Sequence, residues 1–185
     1  IGGEFGDDGG ASITGAVNVG DVYVTLGGLT TEGDTITAQT GSIGIISTQG
    51  DIDENLIVSS NEDIGGVVSR TGSISGSDDD EVVTIIAPGS IGLVQAASGI
   101  SGVFTAQTGS IGSIINQTGN IAIVATAGTD IGAVTSVVGS ILGEAEVLEG
   151  QTGGSTVNII GETTGSLTAG GNIGPVTAGG DLGNY

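Results

Sequence analysis

The residues of this chain whose types and spacing could do chemistry form two short acidic clusters. One lies in the segment DIDEN and the other in the segment SDDDE. Carboxylates at flexible spacing are ligands that Ca²⁺ prefers. Neither cluster matches an EF-hand loop. The Gly-Gly stretches of the chain do not match the nonapeptide calcium β-roll, because here the Asp stands directly after Gly and before the apolar anchor. The candidate calcium ligands are Asp51, Asp53, Glu54, Asp78, Asp79, Asp80 and Glu81.

Catalysis by these carboxylates is disfavoured by what surrounds them. The chain has no His and no Cys, and Arg70 is its single Lys or Arg residue. An imidazole base, a thiol nucleophile and a Schiff-base amine are therefore excluded. Paired carboxylates also serve in glycosidases, but enzymes that act on acidic sugars need basic residues to hold the substrate. The sequence predicts a solvated acidic loop, no enzyme, and no required cofactor.

Composition and charge exclude further classes of function. There are 21 Asp and Glu residues and a formal net charge of −20. Binding to nucleic acid or to an anionic membrane surface needs Lys and Arg, so neither partner is expected. The apolar runs are too short for membrane insertion. Hydrophobic residues make up 37% of the chain and aromatic residues only 2%, which predicts a thin, repetitive core.

One short phrase, Gly-[Ser/Asn/Asp]-Ile-Gly, recurs along the chain and should position these side chains. Most intervals between its apolar anchors are 9 to 12 residues. Such self-similarity is the signature of a repeat architecture. The anchors are Ile43, Ile52, Ile64, Ile74, Ile91, Ile100, Ile111, Ile121, Ile131 and Ile141, followed less regularly by Leu167, Ile173 and Leu182.

Within each unit, apolar residues alternate with period two, as in a strand, and the alternation breaks once after the anchor. The Gly at that break is predicted to form a corner. These glycines are Gly44, Gly65, Gly92, Gly112, Gly132 and Gly174. The short polar residue before each anchor suits a turn in which it bonds local backbone groups. These polar residues are Ser42, Asp51, Ser73, Ser90, Ser110, Asn120, Asp130, Ser140, Asn172 and Asp181.

Stacking such units predicts an all-β fold, a right-handed parallel β-helix or β-solenoid. Three units per coil would take roughly 30 residues and give about six coils, and this arrangement is favoured over two units of roughly 20 residues and about nine coils. Frequent Gly argues against helices, and a β-sandwich is the runner-up. Residues 1–34 are predicted as a lead-in or N-terminal cap, and 35–185 as the solenoid. The solenoid has an acidic loop at 75–81 and a degenerate stretch at 142–165, where Val147, Val157 and Ile159 should point inward.

The phrases TEGDTITAQTGSIGIISTQGDID and TGNIAIVATAGTDIGAV resemble the repeats of filamentous-haemagglutinin-like adhesins and other bacterial surface proteins with parallel β-helices. The phrase GGNIGPVTAGGDLG is similar to the repeats of very large bacterial extracellular proteins. The similarity covers residues 35–183. It implies a structural or adhesive protein, extracellular or at the cell surface, without catalytic residues in its repeats.

The expected function is therefore that of an extracellular structural repeat protein. Because the phrase runs nearly to Tyr185, the chain is expected to be a segment of a larger repeat protein or a subunit that stacks end to end in a filament, stalk or surface layer. Its partners would be copies of itself, end to end or lateral. The alternatives are an adhesin that binds cell-surface carbohydrate and a calcium-stabilised matrix protein. The sequon Asn116-Gln117-Thr118 is interpreted as a chance occurrence.

Overall fold

The chain folds into short strands in which buried and solvent-facing side chains alternate. A computed structural model describes residues 12–30, 33–53, 57–76, 82–142, 155–159 and 165–182. In the strand IAIVATA, Ile121, Ile123, Ala125 and Ala127 are buried while the residues between them face outward. This period of two places one apolar edge of each strand toward the interior.

The described residues form fifteen strands and no helix. In chain order they are β1 (Ser12–Gly15), β2 (Val22–Val24), β3 (Thr35–Ala38), β4 (Ile43–Thr48), β5 (Ile57–Ser59), β6 (Ile64–Ser69), β7 (Thr84–Ala87), β8 (Ile91–Ala96), β9 (Ile100–Ala106), β10 (Ile114–Asn116), β11 (Ile121–Ala127), β12 (Val134–Ser136), β13 (Ser155–Ile159), β14 (Gly165–Ala169) and β15 (Val176–Ala178).

The strands alternate between two sheets, which makes the chain a parallel β-solenoid. Sheet A has the order β1-β3-β5-β7-β9-β11-β14-β13, and sheet B has the order β15-β12-β10-β8-β6-β4-β2. All neighbours are parallel except β13 and β14. One strand from each sheet makes a rung, and about five complete rungs are flanked by the pairs β1–β2 and β14–β15. The prediction of an all-β parallel solenoid is confirmed.

Each rung contains two repeat units, whereas three were favoured from the sequence. Ile91, Ile111 and Ile131 stack directly on one another, so a rung in this region takes 20 residues. Two facing sheets about 10 Å apart can be filled by Ile, Val and Ala without any side chain on a central axis. A third side would leave a wider interior, and this chain has few large side chains to fill it.

The core is the narrow layer between the two sheets. All ten isoleucine anchors from Ile43 to Ile141 are buried, and Phe104 is the largest fully buried side chain. Leu167 is also buried. Ile173 is half-buried and Leu182 is 60% exposed, although they stack on Ile131 and Ile141, because no described rung follows them. The burial predicted for the regular anchors is confirmed.

Three of the six predicted corners are wrong. Gly44, Gly65 and Gly92 fall inside β4, β6 and β8, because the strand continues through the Gly that follows the anchor. Gly112, Gly132 and Gly174 lie between the bridge at the anchor and the strand that follows. The chain turns instead in the polar segment before the anchor, for example at residues 117–120. Glycine after the anchor therefore needs another explanation, which the stacking of rungs provides.

The predicted lead-in and the predicted interruptions fit into the stack in different ways. β1 and β2, within residues 1–34, pair with β3 and β4. Within the stretch 142–165, β13 pairs antiparallel with β14, and the register sets Val157 opposite Leu167. Most of the acidic loop and Val147 lie outside the described residues.

Candidate functional surfaces

The polar residue before each anchor ties one rung to the next. Its side-chain oxygen accepts the backbone N–H of the equivalent residue one rung further on. Ser42 N–H donates to Asn18 Oδ1 (2.9 Å), and Ser90 N–H donates to Asp63 Oδ1 (2.6 Å). The other steps have N···O distances of 2.7 to 3.4 Å. Ladder 1, at the turn into sheet B, consists of Asn18, Ser42, Asp63, Ser90, Ser110, Asp130 and Asn172.

A second ladder runs along the turn into sheet A and is interrupted once. Ser140 N–H donates to Asn120 Oδ1 (3.0 Å), and Asp181 N–H donates to Ser140 Oγ (3.1 Å). Between Ser73 and Asn120 the equivalent position is Gly99, which has no side chain to accept a hydrogen bond. Ladder 2 consists of Asp51, Ser73, Asn120, Ser140 and Asp181.

The direction of these bonds differs from the local turn bonds expected from the sequence. A residue that bonds across rungs must have an oxygen acceptor one or two bonds from Cβ, and Ser, Asn and Asp all provide one. In neither ladder do two Asp residues stand in adjacent rungs. Like charges directly opposite each other in a sheet are destabilising, so alternation with Ser or Asn separates the carboxylates.

In the Thr-Gly-Ser and Thr-Gly-Asn turns, the Thr side chain bonds to the preceding rung. Thr71 Oγ1 donates to Gln49 O (2.6 Å), and Thr118 Oγ1 donates to Ala97 O (2.8 Å), each one rung earlier. Gly119 has a φ of 78°, a left-handed conformation that favours glycine. Each turn is therefore bonded to the rung before it and to the rung after it.

Glycine after the anchor forms a column in which backbones approach closely. An ideal Cβ on Gly132 would lie 2.9 Å from Gly112 C, and one on Gly174 would lie 2.9 Å from Gly132 C. Such distances are shorter than ordinary carbon–carbon contacts of about 3.5–4.0 Å. The glycine column consists of Gly44, Gly65, Gly92, Gly112, Gly132 and Gly174. Close stacking, and not a positive φ, explains glycine at these positions.

The candidate calcium ligands are only partly described. The Asp51 carboxylate accepts Ser73 N–H (2.7 Å) and Ser73 Oγ–H (2.9 Å) through one oxygen, so it serves Ladder 2. Asp53 is half-buried. In the described ranges no three His, Cys, Asp or Glu residues are grouped to hold a metal ion. The other candidates, Glu54, Asp78, Asp79, Asp80 and Glu81, lie outside the described residues.

A shallow depression surrounds the single basic residue. It has a volume of about 170 Å³ and is lined by Tyr23, Val24, Thr25, Ser47, Gln49 and Arg70. Arg70 Nε–H donates to Ser47 Oγ (3.1 Å). Tyr23 O–H donates to Asp21 Oδ2 (3.1 Å), and this hydrogen bond, with the negative charge of Asp21, raises the pKa of Tyr23.

A second depression lies at the interruption of Ladder 2. It has a volume of about 370 Å³, and its lining includes the hydroxyls of Ser73, Ser75, Ser98 and Ser101 and the amide of Asn120. These groups can donate and accept hydrogen bonds but form no acid–base pair. The missing side chain at Gly99 accounts for the opening.

Among the described residues, charged side chains lie outside the strands. None of the fifteen described strands contains Asp, Glu, Lys or Arg. The outer sheet faces carry Thr, Ser and Val, with partly exposed apolar residues such as Tyr23, Ile45 and Leu93. In the part of the chain that the structure describes, the sheet faces are therefore neutral, and the acidic residues other than the buried Asp34 lie in the turns, which form an acidic rim.

The sequon does not present an accessible acceptor. Asn116 is fully buried, and its Nδ2 donates to Thr118 O (2.6 Å) and Gly119 O (2.8 Å). Asn116 thus stabilises the turn of its own rung from inside the solenoid. This placement agrees with the interpretation of the sequon as a chance occurrence.

Comparison of this chain with known protein families, with curated proteins and with solved structures finds no match in any of the three. Within the described residues, no helix has the length and apolarity needed to span a membrane. The resemblance to bacterial surface proteins is thus supported for the parallel solenoid fold, and kinship to adhesins or to very large repeat proteins stays a prediction.

Proposed function

We propose that this chain is a structural element outside the cell, a rod segment in a filament, stalk or surface layer. The observation that carries the proposal is the coupling of successive rungs along one axis. Two sheets and two turn ladders join the same rungs, and the side chains of the ladders serve mainly as acceptors for backbone N–H groups. These contacts repeat in one direction, as expected for a spacer or support.

The described polar groups support a structural role over a catalytic one. The carboxylates of Asp51, Asp63 and Asp130 each accept backbone N–H groups from the following rung. Carboxylates used in this way hold the backbone together and are not paired with each other for acid–base chemistry. We therefore propose a protein without enzymatic activity.

The rim and faces suggest how such a rod behaves in its surroundings. An acidic rim with a formal net charge of −20 for the chain keeps rods apart at low ionic strength. An extracellular location is supported by the resemblance of the repeats to bacterial surface proteins. Copies of the same chain, end to end or laterally, are the proposed partners.

Electron microscopy of the purified chain, with and without calcium, tests the assembly part of this proposal. One chain should be roughly 30–45 Å long, given rungs about 4.8 Å apart. Particles several times longer would be filaments of stacked copies, and single short particles would indicate a segment of a stalk or layer. A particle without a solenoid's β-sheet signal in circular dichroism would contradict the proposal altogether.

Location and the adhesin alternative are tested on source cells. Antibodies against the chain should label intact cells, and labelling only after permeabilisation would contradict an extracellular location. The adhesin alternative predicts that the purified chain binds glycans or host cells. It also predicts that binding is lost when Ser75 to Glu81 are replaced, whereas a structural rod does not require that segment for assembly.

A further inference from the structure

Sheet A ends in a strand that runs opposite to every other described strand. β13 pairs antiparallel with β14 over five residue pairs, from Ser155 opposite Ala169 to Ile159 opposite Gly165. In all other described pairs the strands are parallel. β13 is therefore not a rung of the solenoid but an addition to the edge of its last described sheet A strand.

β13 occupies the place of the next rung in sheet A. Leu182 stacks on Ile141, which stacks on Ile121. A strand that continued from this column would lie beside β14, as β14 lies beside β11. In sheet B, by contrast, β15 has β12 on one side and no described strand on the other. At this end, a described strand covers sheet A, and no described strand covers sheet B.

The excursion that carries β13 leaves and rejoins the rung at nearly one point. The chain departs after Leu142 and returns at Gly165, and an ideal Cβ on Gly165 would lie 3.0 Å from both Leu142 O and Ile123 O. Residues 143–164 can thus be removed with little change in the distance that the rung must span. They add an edge strand without interrupting the stack.

The covered edge has no protection of its own. The strand GSLTA of β14 contains no charged residue and no Pro, which are two common devices that keep sheet edges from pairing. The corners beside it carry Asn172 and Asp181, the last described members of the two ladders, whose backbone N–H groups donate to Asp130 and Ser140. Each has a side-chain oxygen of the kind that accepts the next N–H in earlier rungs. A partner that fits this end supplies a neutral strand and backbone N–H donors at both corners. The rungs of this chain have both.

We propose that the edge of β14 is a docking surface for a strand of a second copy of this chain, and that β13 is the cap that keeps it covered. The proposal rests on the proposed structural role, in which rungs stack along one axis. It adds that growth at this end requires β13 to leave. Extension of sheet A at this end is accordingly controlled by the strand that covers β14.

The test compares a deletion with a charge-matched control. Deleting residues 143–164 uncovers β14 and removes four acidic residues, Glu144, Glu146, Glu149 and Glu162. The control D78N/D79N/D80N/E81Q removes the same four charges without changing the edge. Sedimentation velocity and electron microscopy over a range of concentrations measure assembly, and circular dichroism measures folding.

We expect the deletion variant to form oligomers or fibres that grow with concentration, while the parent chain and the control sediment alike. Two further variants, Val157→Pro and Asn158→Pro, test the same point if the deletion variant misfolds. Because alternate residues of an antiparallel strand hydrogen-bond to the neighbouring strand, Pro at one of these two positions removes an N–H that bonds to β14. That variant should also assemble. A folded deletion variant that sediments like the parent, or assembly of the control to the same extent, would overturn the proposal. The proposed structural role itself fails if the parent chain lacks the β-sheet signal of a solenoid in circular dichroism, whatever the deletion variant does.

Discussion

At the scale of single residues, a side-chain oxygen before the anchor has the same role in most rungs: it accepts a backbone N–H of the next rung. Ladder 1 is continuous through seven rungs, whereas the column of Ladder 2 begins with Gly28, before Leu29, and lacks an acceptor again at Gly99. An ideal Cβ at Gly99 would meet only Asn120 O, at 3.7 Å, and no positive φ constrains this residue. The gap in Ladder 2 can therefore be filled.

We predict that Gly99→Ser stabilises the protein. The new Oγ would accept Asn120 N–H, and one such hydrogen bond is worth about 0.5–1.5 kcal/mol. Replacing Gly also lowers the entropy of the unfolded chain. A gain of about 1 kcal/mol corresponds to roughly 2–4 °C in Tm for a chain of this size, measured by circular dichroism.

Gly119→Ser is the matched control for this prediction. Gly119 has a φ of 78°, and an ideal Cβ there would overlap Ser98 O. The left-handed conformation costs a non-glycine residue roughly 1–2 kcal/mol, so Tm should fall. Equal effects of the two substitutions would contradict the role assigned to Gly99.

The hydrogen bond between Tyr23 and Asp21 predicts a pH effect. Because it raises the pKa of Tyr23, the phenol stays protonated to higher pH in the folded protein than in the unfolded chain. The stability it contributes is fully present below the unfolded pKa of about 10 and is lost as pH rises through the folded value. Absorbance at the tyrosinate band should show Asp21→Asn titrating at lower pH than the parent, and unchanged titration would contradict the bond.

At the scale of the strand and its turn, the repeat phrase gives each residue a separate partner. The Thr bonds backward, the Ser, Asn or Asp bonds forward, the Ile enters the core, and the next Gly lies against the Gly of the preceding rung. The strands themselves are neutral. A charge at the same strand position in every rung would lie opposite a like charge in the next rung and oppose stacking.

We predict that Gly132→Ala destabilises the solenoid by about 1–3 kcal/mol, as overpacked sites do. Its Cβ would lie 2.9 Å from the backbone of Gly112, which cannot move without disturbing the rung below. Urea denaturation gives the free energy of unfolding. Gly20→Ala is the control, because a Cβ there meets nothing within 4 Å, and its stability should be unchanged or slightly higher. A similar loss in both variants would point to a general effect of replacing Gly.

At the scale of the whole molecule, stability is the sum of contacts between neighbouring rungs, and the acidic rim opposes it. The formal net charge of −20 is held by one chain whose rungs stack only about 4.8 Å apart, and the Debye length at 0.1 M salt is about 10 Å. The mean repulsion between like charges is therefore only partly screened at moderate ionic strength, although Ser and Asn keep the Asp residues of each ladder out of adjacent rungs.

We predict that NaCl raises Tm and continues to raise it up to about 1 M, where the Debye length falls to about 3 Å. The variant D78N/D79N/D80N/E81Q should show a smaller dependence. Calcium and magnesium are compared at matched ionic strength. Equal effects would mean screening alone, whereas a larger effect of calcium that the variant loses would support the acidic loop as a calcium site.

The sequence by itself determined the strand phase, the buried anchors and the neutral strands. These features depend on residues within one unit: alternation with period two, an Ile after a polar turn residue, and Gly where helices are disfavoured. The placement of Ile43 through Ile141 in the core was predictable for that reason. Of the candidate calcium site, only the acidic composition could be predicted, because Asp51 has a partner 22 residues away in Ser73.

Only the tertiary structure decided which units meet. Successive units carry nearly the same phrase, so nothing within a unit distinguishes a coil of two from a coil of three. The answer depends on how closely two sheets of Ile, Val and Ala can pack, a property of the assembled interior. The forward direction of the ladders and the glycine column follow from contacts between residues about 20 or more positions apart, which a local pattern cannot specify. The reversed strand β13 pairs with β14 only 6 to 14 positions along the chain, but in a stretch where the repeat phrase decays and indicates no strand direction.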